Sequence, residues 1–274
     1  MNRLPVLARA DVCVVGAGAA GCVLAARLTE RGGRTVCLVE AGPDYGPHDA
    51  GRWPADLLDA ADCATSHDWG YGVDVACRVV GGCSAHNGCL VVRGTPADYD
   101  GWAAATGDAG WGWAAMEPLL ERAEAAIRTR TYTPDQVGSF TRLALEAWAG
   151  LGEPVLDDFN AVDAIRGSGL LPVNRVGRTR WSAAFAYLDP ARDRRELTVL
   201  ANALADRVVV DDGRARGVVV HTADGAGVVE AETVILAAGA YGSPPVLLRS
   251  GIGPADELRA LGIDVATDGM TWQR

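Results

Sequence analysis

Residues 16–21, Gly16-Ala17-Gly18-Ala19-Ala20-Gly21, carry the G-x-G-x-x-G spacing with which a main chain can hold a pyrophosphate. Gly16 would permit a tight reversal, Gly18 would let backbone approach the phosphates, and Gly21 would let a helix lie close on its strand. The N–H groups of Ala19 and Ala20 then open that helix at its positive end, where an anion is favoured. Glu40 lies about 20 positions further on, where a carboxylate can accept hydrogen bonds from adenosine ribose hydroxyls and disfavours a 2'-phosphate. These residues imply dinucleotide binding, and by themselves they admit both an NAD enzyme and an FAD enzyme.

A second cluster follows at Arg78-Val79-Val80-Gly81-Gly82-Cys83-Ser84-Ala85-His86-Asn87-Gly88. Gly81 and Gly82 allow backbone to pass close to a flat ring or a diphosphate, and Ser84 and Asn87 supply hydrogen-bonding groups. Cys83 and Cys89 flank His86 and read as packing residues, since no partner in the sequence would lower a thiol pKa. His48, His67 and His221 read as structural. The seven cysteines contain no C-x-x-C pair, which argues against a disulfide framework and against a metal site.

The elements needed to position these groups are legible. Residues 11–15 form a strand-like apolar run, 19–31 a helix and 35–40 a second strand, so the first glycine cluster falls after a strand and opens a helix. Residues 41–78 are broken by Gly42, Pro43, Gly46, Pro47, Gly51 and Pro54 and read as a long loop. Residues 117–128 and 140–151 read as amphipathic helices of an inserted second domain. Short β-type runs at 197–201, 207–210, 216–221 and 228–230 suggest an antiparallel meander, and 233–236 reads as a separate buried strand ending in Ala237-Ala238-Gly239. The expected organisation is a discontinuous nucleotide-binding domain, residues 1–104 and 190–274, interrupted by an insertion at 105–189.

Composition narrows the function classes. With 274 residues, 49% hydrophobic and 22% charged, the chain is an ordinary globular one. All 25 basic residues are scattered arginines, and the net charge of -10 repels phosphate backbones and anionic lipid headgroups. Nucleic acid and membrane are therefore not expected partners. The start has too short an apolar stretch for a signal peptide, so a cytoplasmic protein is expected.

The second cluster, continued by Val92-Arg93-Gly94-Thr95-Pro96-Ala97-Asp98-Tyr99-Asp100-Gly101-Trp102, resembles the first signature of the glucose-methanol-choline (GMC) flavoprotein oxidoreductases. Residues 239–253, Gly239-Ala240-Tyr241-Gly242-Ser243-Pro244-Pro245-Val246-Leu247-Leu248-Arg249-Ser250-Gly251-Ile252-Gly253, look like the second. With Glu40-Ala41-Gly42, Asp68-Trp69 and Arg180-Trp181-Ser182-Ala183, the resemblance runs in order along most of the chain.

The resemblance implies an α/β, Rossmann-like FAD-binding domain, a parallel sheet with helices plus an antiparallel β-meander, with an inserted, incomplete α+β substrate domain. It implies FAD as cofactor and oxidation of a small-molecule alcohol to a carbonyl by hydride transfer, with oxygen or another redox partner as electron acceptor. It extends the cofactor contacts to Ala41, Trp69, Arg78, Val80, Gly88, Ala238, Gly239 and the strand region near Ala205. The Gly-Gly-Cys-Ser-x-His-Asn order is similar to that of the choline oxidases within the family, which implies that His86 could link the flavin covalently. The family's catalytic histidine lies beyond Arg274 in relatives, and residues 268–274 depart from the family pattern. The sequence thus leaves open a truncated or frameshifted product, one half of a split enzyme completed by a second polypeptide, a noncatalytic FAD-binding module, and an NAD-dependent dehydrogenase.

Overall fold

The computed structural model describes residues 4–72, 76–161 and 166–269; the expectation for residues 270–274 lies outside the described residues. The chain divides into two compact units, one built from the segments ending at Leu57, Ala64–His86 and the segment from Ser182 on, the other from Leu58–Cys63 and Asn87–Trp181. The second unit thus takes in residues from 87, whereas the sequence places the insertion at 105–189.

The first unit is organised on a six-stranded sheet. Its strands are β1 (Val6–Val15), β2 (Val36–Val39), β3 (Leu197–Leu200), β4 (Leu204–Asp211), β5 (Arg214–Thr222) and β6 (Gly225–Leu236), in the spatial order β4-β5-β6-β1-β2-β3. β6, β1, β2 and β3 run parallel to one another, whereas β4, β5 and β6 form an antiparallel meander. Cys13, Val15, Cys37 and Val39 face one side with Ala203, Ala205, Val218, Val220 and Val229, and Val12, Val14, Val36 and Leu38 are also buried. Burial on both faces is why β1 and β2 read as unbroken apolar runs rather than as alternation.

Two sequence expectations are corrected. Residues 197–200 do not join the meander; Leu197 pairs with Val36 and Leu200 with Val39 in the parallel part of the sheet. They form the edge strand of the sheet, with Leu197 buried and Thr198 exposed. The runs at 228–230 and 233–236 are one strand, because Ala231 and Glu232 between them supply no turn residue, and β6 pairs with β5 and β1 together.

Helix α1 (Ala19–Leu28) follows the glycine turn and ends earlier than the expected residue 31. The Thr29 hydroxyl donates to the Ala25 carbonyl at 2.9 Å, and Arg194 donates to the Ala26 carbonyl at 2.5 Å, satisfying groups that a helix end leaves open. Gly32 and Gly33, both at positive φ, then reverse the chain into β2. Asp11, midway along β1, fastens it to the start of β2 by accepting from the Thr35 N–H at 2.6 Å and hydroxyl at 2.8 Å.

The second unit contains α2 (Pro96–Thr106), α3 (Trp113–Ala126) and α4 (Ser139–Gly150). A reciprocal cap opens α2: Asp98 accepts from both the N–H and the hydroxyl of Thr95, at 2.6 and 2.8 Å. Arg93 holds Glu124 through two hydrogen bonds of 2.6 Å each. The apolar residues Phe140, Leu143 and Trp148 of α4, with Leu151 just past its end, are all exposed, Phe140 at 84%. Their spacing places them along one helical stripe.

Candidate functional site: a glycine-lined nucleotide cradle

The site begins where β1 stops. Gly16, at φ +96, turns the chain away from Val15, and its N–H donates to the Val39 carbonyl at 2.8 Å. A Cβ at Gly16 would come within 2.6 Å of the Ala237 carbonyl oxygen, because the end of β6 lies on the turn. A Cβ at Gly21 would overlap the Gly16 carbonyl oxygen, so α1 is packed directly on the turn it leaves. Gly18 differs: its backbone is extended, and a Cβ there would meet only the Cα of Gly82, at 4.0 Å. Gly18 is the N-cap of α1 without a side-chain cap, and Ala19 and Ala20 are exposed. The positive end of α1 is therefore open to an anion.

Glu40 follows β2 and is buried. Its Oε2 accepts the Ala17 N–H at 2.8 Å and its Oε1 the Gly42 N–H at 2.9 Å. Burial raises its carboxyl pKa above the ordinary value, while the Gly42 and Ala17 N–H groups and the Arg78 charge act in the opposite direction. Glu40 thus locks the glycine turn to the end of β2, a role additional to the ribose contact expected from sequence. Each oxygen retains a further lone pair for such a contact.

The 78–86 loop is laid across this frame. Arg78 donates through Nε to the Ala41 carbonyl at 3.1 Å, and its guanidinium lies over the Trp69 ring at 5.1 Å. The Val80 N–H donates to the Pro43 carbonyl at 3.1 Å and the Gly81 N–H to the Ala17 carbonyl at 2.7 Å. A Cβ on Gly82 would stand 2.6 Å from the Cα of Gly18, so two glycines meet backbone to backbone. The Ser84 hydroxyl donates to the Gly81 carbonyl at 2.6 Å and accepts the Ala183 N–H at 3.0 Å, which makes it a brace of the loop. His86 is buried, with Nδ1 3.4 Å from the Ala64 carbonyl oxygen.

The structure therefore brings together Gly16, Gly18, Gly21, Glu40, Ala41, Arg78, Val80, Gly81, Gly82 and Ala238. Gly239 begins the helix α5 (Gly239–Arg249) at φ +77, and the Ala238 N–H donates to the Ser243 hydroxyl at 3.1 Å. Ala205 is buried in β4. Asn87 and Gly88 belong to the second unit, where the Asn87 Oδ1 accepts the Cys89 N–H at 3.1 Å. Cys89 is buried as expected, whereas Cys83 is exposed, because its side chain points out of a short 3-10 turn. Sequence reasoning gave no role to Gly42, where a Cβ would overlap the Arg78 carbonyl oxygen; its place directly after Glu40-Ala41 was the available signal. His67 joins Tyr45 at 2.7 Å and Ser66 at 2.7 Å, and His48 packs edge-on against Phe185. Among the described residues no cluster of three metal-ligating side chains occurs, and no helix is long and apolar enough to cross a membrane.

A turn-helix cradle at the carboxyl end of a parallel sheet, with an acidic residue closing the second strand, defines a dinucleotide-binding α/β fold. The GMC oxidoreductase family description matches residues 10–266, and the chain belongs to that family. It is 35% identical over 288 residues to an oxygen-dependent choline dehydrogenase of Pectobacterium atrosepticum, covering 94% of this chain and 51% of that protein. A second such dehydrogenase, from Rhizobium johnstonii, is 34% identical over 289 residues, with 95% and 51% covered. Among solved structures, pyridoxine 4-oxidase from Mesorbium loti is similar at a TM-score of 0.79 and 29% identity, covering 94% of this chain and 55% of that one. Formate oxidase from Aspergillus oryzae RIB40 shares the fold at a TM-score of 0.77 and 24% identity, covering 97% and 51%. The chain spans about half the length of the curated relatives it matches. GMC oxidoreductases use FAD.

Proposed function

We propose that this chain is the FAD-binding portion of an oxidoreductase that converts a small alcohol to an aldehyde or ketone. The observation that carries the reading is the meeting of Gly18 and Gly82 beside the uncapped end of α1, with Glu40 holding the turn from behind. The first-turn N–H groups of α1 would bind the pyrophosphate, and Glu40 would accept from the adenosine ribose. Gly81 and Gly82, held by the Ala17 carbonyl and braced by Ser84, would let backbone lie against the flavin half. When bound, FAD supplies the hydride acceptor at its N5 atom.

His86 is the residue of this chain assigned to the flavin's dimethylbenzene edge. In the tautomer in which Nδ1 donates to the Ala64 carbonyl, 3.4 Å away, Nε2 carries the ring's lone pair and is the atom assigned to the covalent bond. The proton acceptor for the alcohol is assigned to a segment outside this chain, supplied by the rest of a longer polypeptide or by a second one. Choline-like alcohols head the substrate panel, with oxygen and dye as alternative electron acceptors, since the matched relatives are oxygen-dependent choline dehydrogenases.

The test is flavin content. The purified chain should carry FAD and its absorbance, and uptake of NAD in place of FAD would transfer the reading to a nicotinamide dehydrogenase. Acid precipitation should leave flavin on the protein in the wild type and release it in His86→Ala; complete release from wild type removes the covalent bond from the proposal. The 274-residue chain alone should show no alcohol turnover, since loss of a general base typically costs about 10²- to 10⁴-fold.

A further inference from the structure

Arg180 in the second unit is fully buried, and its guanidinium gathers two segments distant in sequence. Nη2 donates to the carbonyls of Asp59 and Asp62, at 2.6 and 2.7 Å, and Nη1 donates to the Cys89 sulfur at 3.6 Å. Cys63 directly follows Asp62, and it is exposed whereas Cys89 is buried. Because a guanidinium is a rigid planar fork, the Asp62 carbonyl oxygen and the Cys89 sulfur lie within about 9 Å of each other. Cys89 is held at φ +60, a conformation uncommon for a residue with a side chain.

We propose that Cys63 and Cys89 are a peroxide-oxidised pair that closes to a disulfide, with Arg180 as the group that positions the resolving thiol. Exposure makes Cys63 the sulfur that meets the oxidant, and the Arg180 guanidinium holds the Cys89 sulfur in place. Burial pushes the Cys89 thiol up, while Arg180 and then Arg175 act against it and the charge of Cys63 acts with it, so the two sulfurs already sense each other. The Cys63 thiolate attacks one oxygen of hydrogen peroxide, the O–O bond breaks, and hydroxide leaves to be protonated to water. The Cys89 sulfur then attacks the Cys63 sulfenic sulfur, the S–O bond breaks and the S–S bond forms, and the departing hydroxide takes up the proton that the Cys89 thiol gives up and leaves as a second water. Two thiols lose two electrons and one peroxide gains them. A disulfide needs Cα atoms about 4.4–6.8 Å apart, so the exposed 61–63 turn has to swing toward Cys89 as the bond forms. The proposal does not depend on bound flavin or on the alcohol chemistry.

The experiment uses the purified 274-residue chain. It is treated with hydrogen peroxide, alkylated with iodoacetamide under denaturing conditions, digested with trypsin without reduction and read by fragmentation mass spectrometry. Trypsin leaves Cys63 with Cys77 on one peptide and Cys83 with Cys89 on another, so fragmentation has to assign the pair, and Cys83→Ser provides a background in which Cys89 is the acceptor in its peptide. The expected product is a Cys63–Cys89 cross-link, reversed by dithiothreitol and lowered at least about tenfold in Cys63→Ser and in Cys89→Ser. Arg180→Lys, which keeps a charge but loses the fork, should slow closure without slowing the first oxidation of Cys63, read by trapping the sulfenic acid with dimedone. Cys63 recovered as sulfinic acid, or joined to Cys83 or Cys77 with Cys89 alkylated, would overturn the assignment. So would closure at the wild-type rate in a folded Arg180→Lys protein.

Discussion

Replacing Gly18 by valine separates the cradle's two properties, its fold and its capacity for an anion. Gly18 sits at φ -74 and ψ -166, an extended conformation open to any side chain, and its Cβ would meet one neighbour at 4.0 Å. Folding stability should therefore change by no more than about 1 kcal/mol, the cost of a poorer N-cap residue rather than of a clash. The valine methyls would, however, stand in front of the first-turn N–H groups of α1. A hydrogen bond to a charged group contributes about 1.5–3 kcal/mol, so losing one weakens FAD binding by roughly 10- to 100-fold. Gly21→Ala is the complement: its Cβ would overlap backbone at Gly16, and overpacking of that kind costs about 1–3 kcal/mol or more. Flavin per chain after purification, an FAD titration of the flavin-free protein and thermal denaturation read both effects. Unchanged FAD affinity in a folded Gly18→Val protein would refute the placement of the pyrophosphate. Unfolding of Gly18→Val as severe as that of Gly21→Ala would refute the claim that the space before Gly18 is open.

Glu40→Gln gives a pH signature. Burial raises the Glu40 carboxyl above its ordinary 4.5, so the stability it contributes is fully present below that value and is lost as pH rises through the folded pKa. The stability difference, wild type minus Glu40→Gln in denaturant titrations, should shrink over that rise, and a flat difference contradicts the buried, raised carboxyl. Thiol titration of the reduced native chain should find Cys63 and Cys83 fast and the other cysteines hidden until denaturation, since burial pushes Cys22 up to about 12 and Cys37 to about 11; rapid reaction of all seven contradicts the packing of β1 and β2. Replacing Phe140 and Leu143 by serine should lower hydrophobic-dye binding with stability changed by about 0.5 kcal/mol or less; unchanged dye binding with a clear loss of stability would show that the α4 stripe is covered.

The nucleotide turn was legible because its requirements are local: three glycines, a strand before them and a helix after them lie within one short stretch. Spacing put Glu40 at the end of β2, yet its two bonds to Ala17 and Gly42 were not legible, since they depend on how the end of β2 meets the turn. The long strand β6 was misread as two pieces because its residues 225–230 pair in the meander while 228–236 pair with β1 in the parallel part, and the side-chain pattern changes between those settings. Ser84 was legible as a hydrogen-bonding group, but its bracing bond was not, because only the fold brings the Ala183 N–H to its hydroxyl. Cys83 could not be told from Cys89 by type or neighbourhood; a backbone turn decides which of them faces solvent.

The pairing of β1 with β6 also sets a timetable for synthesis. Val6 finds its partner at Val228, and Gly16 packs against Ala237, so the amino-terminal strand needs residues made more than 200 positions later. At translation rates of about 5–20 residues per second, the ribosome takes roughly 10 to 45 s to deliver them. During that interval β1 can pair with β2 on one side only, and its other edge, Val12 to Val15, stays available to any strand that passes. Slower elongation lengthens that exposure, so yield of folded protein should depend on how quickly the message between the two strands is read and on chaperone occupancy of the nascent chain.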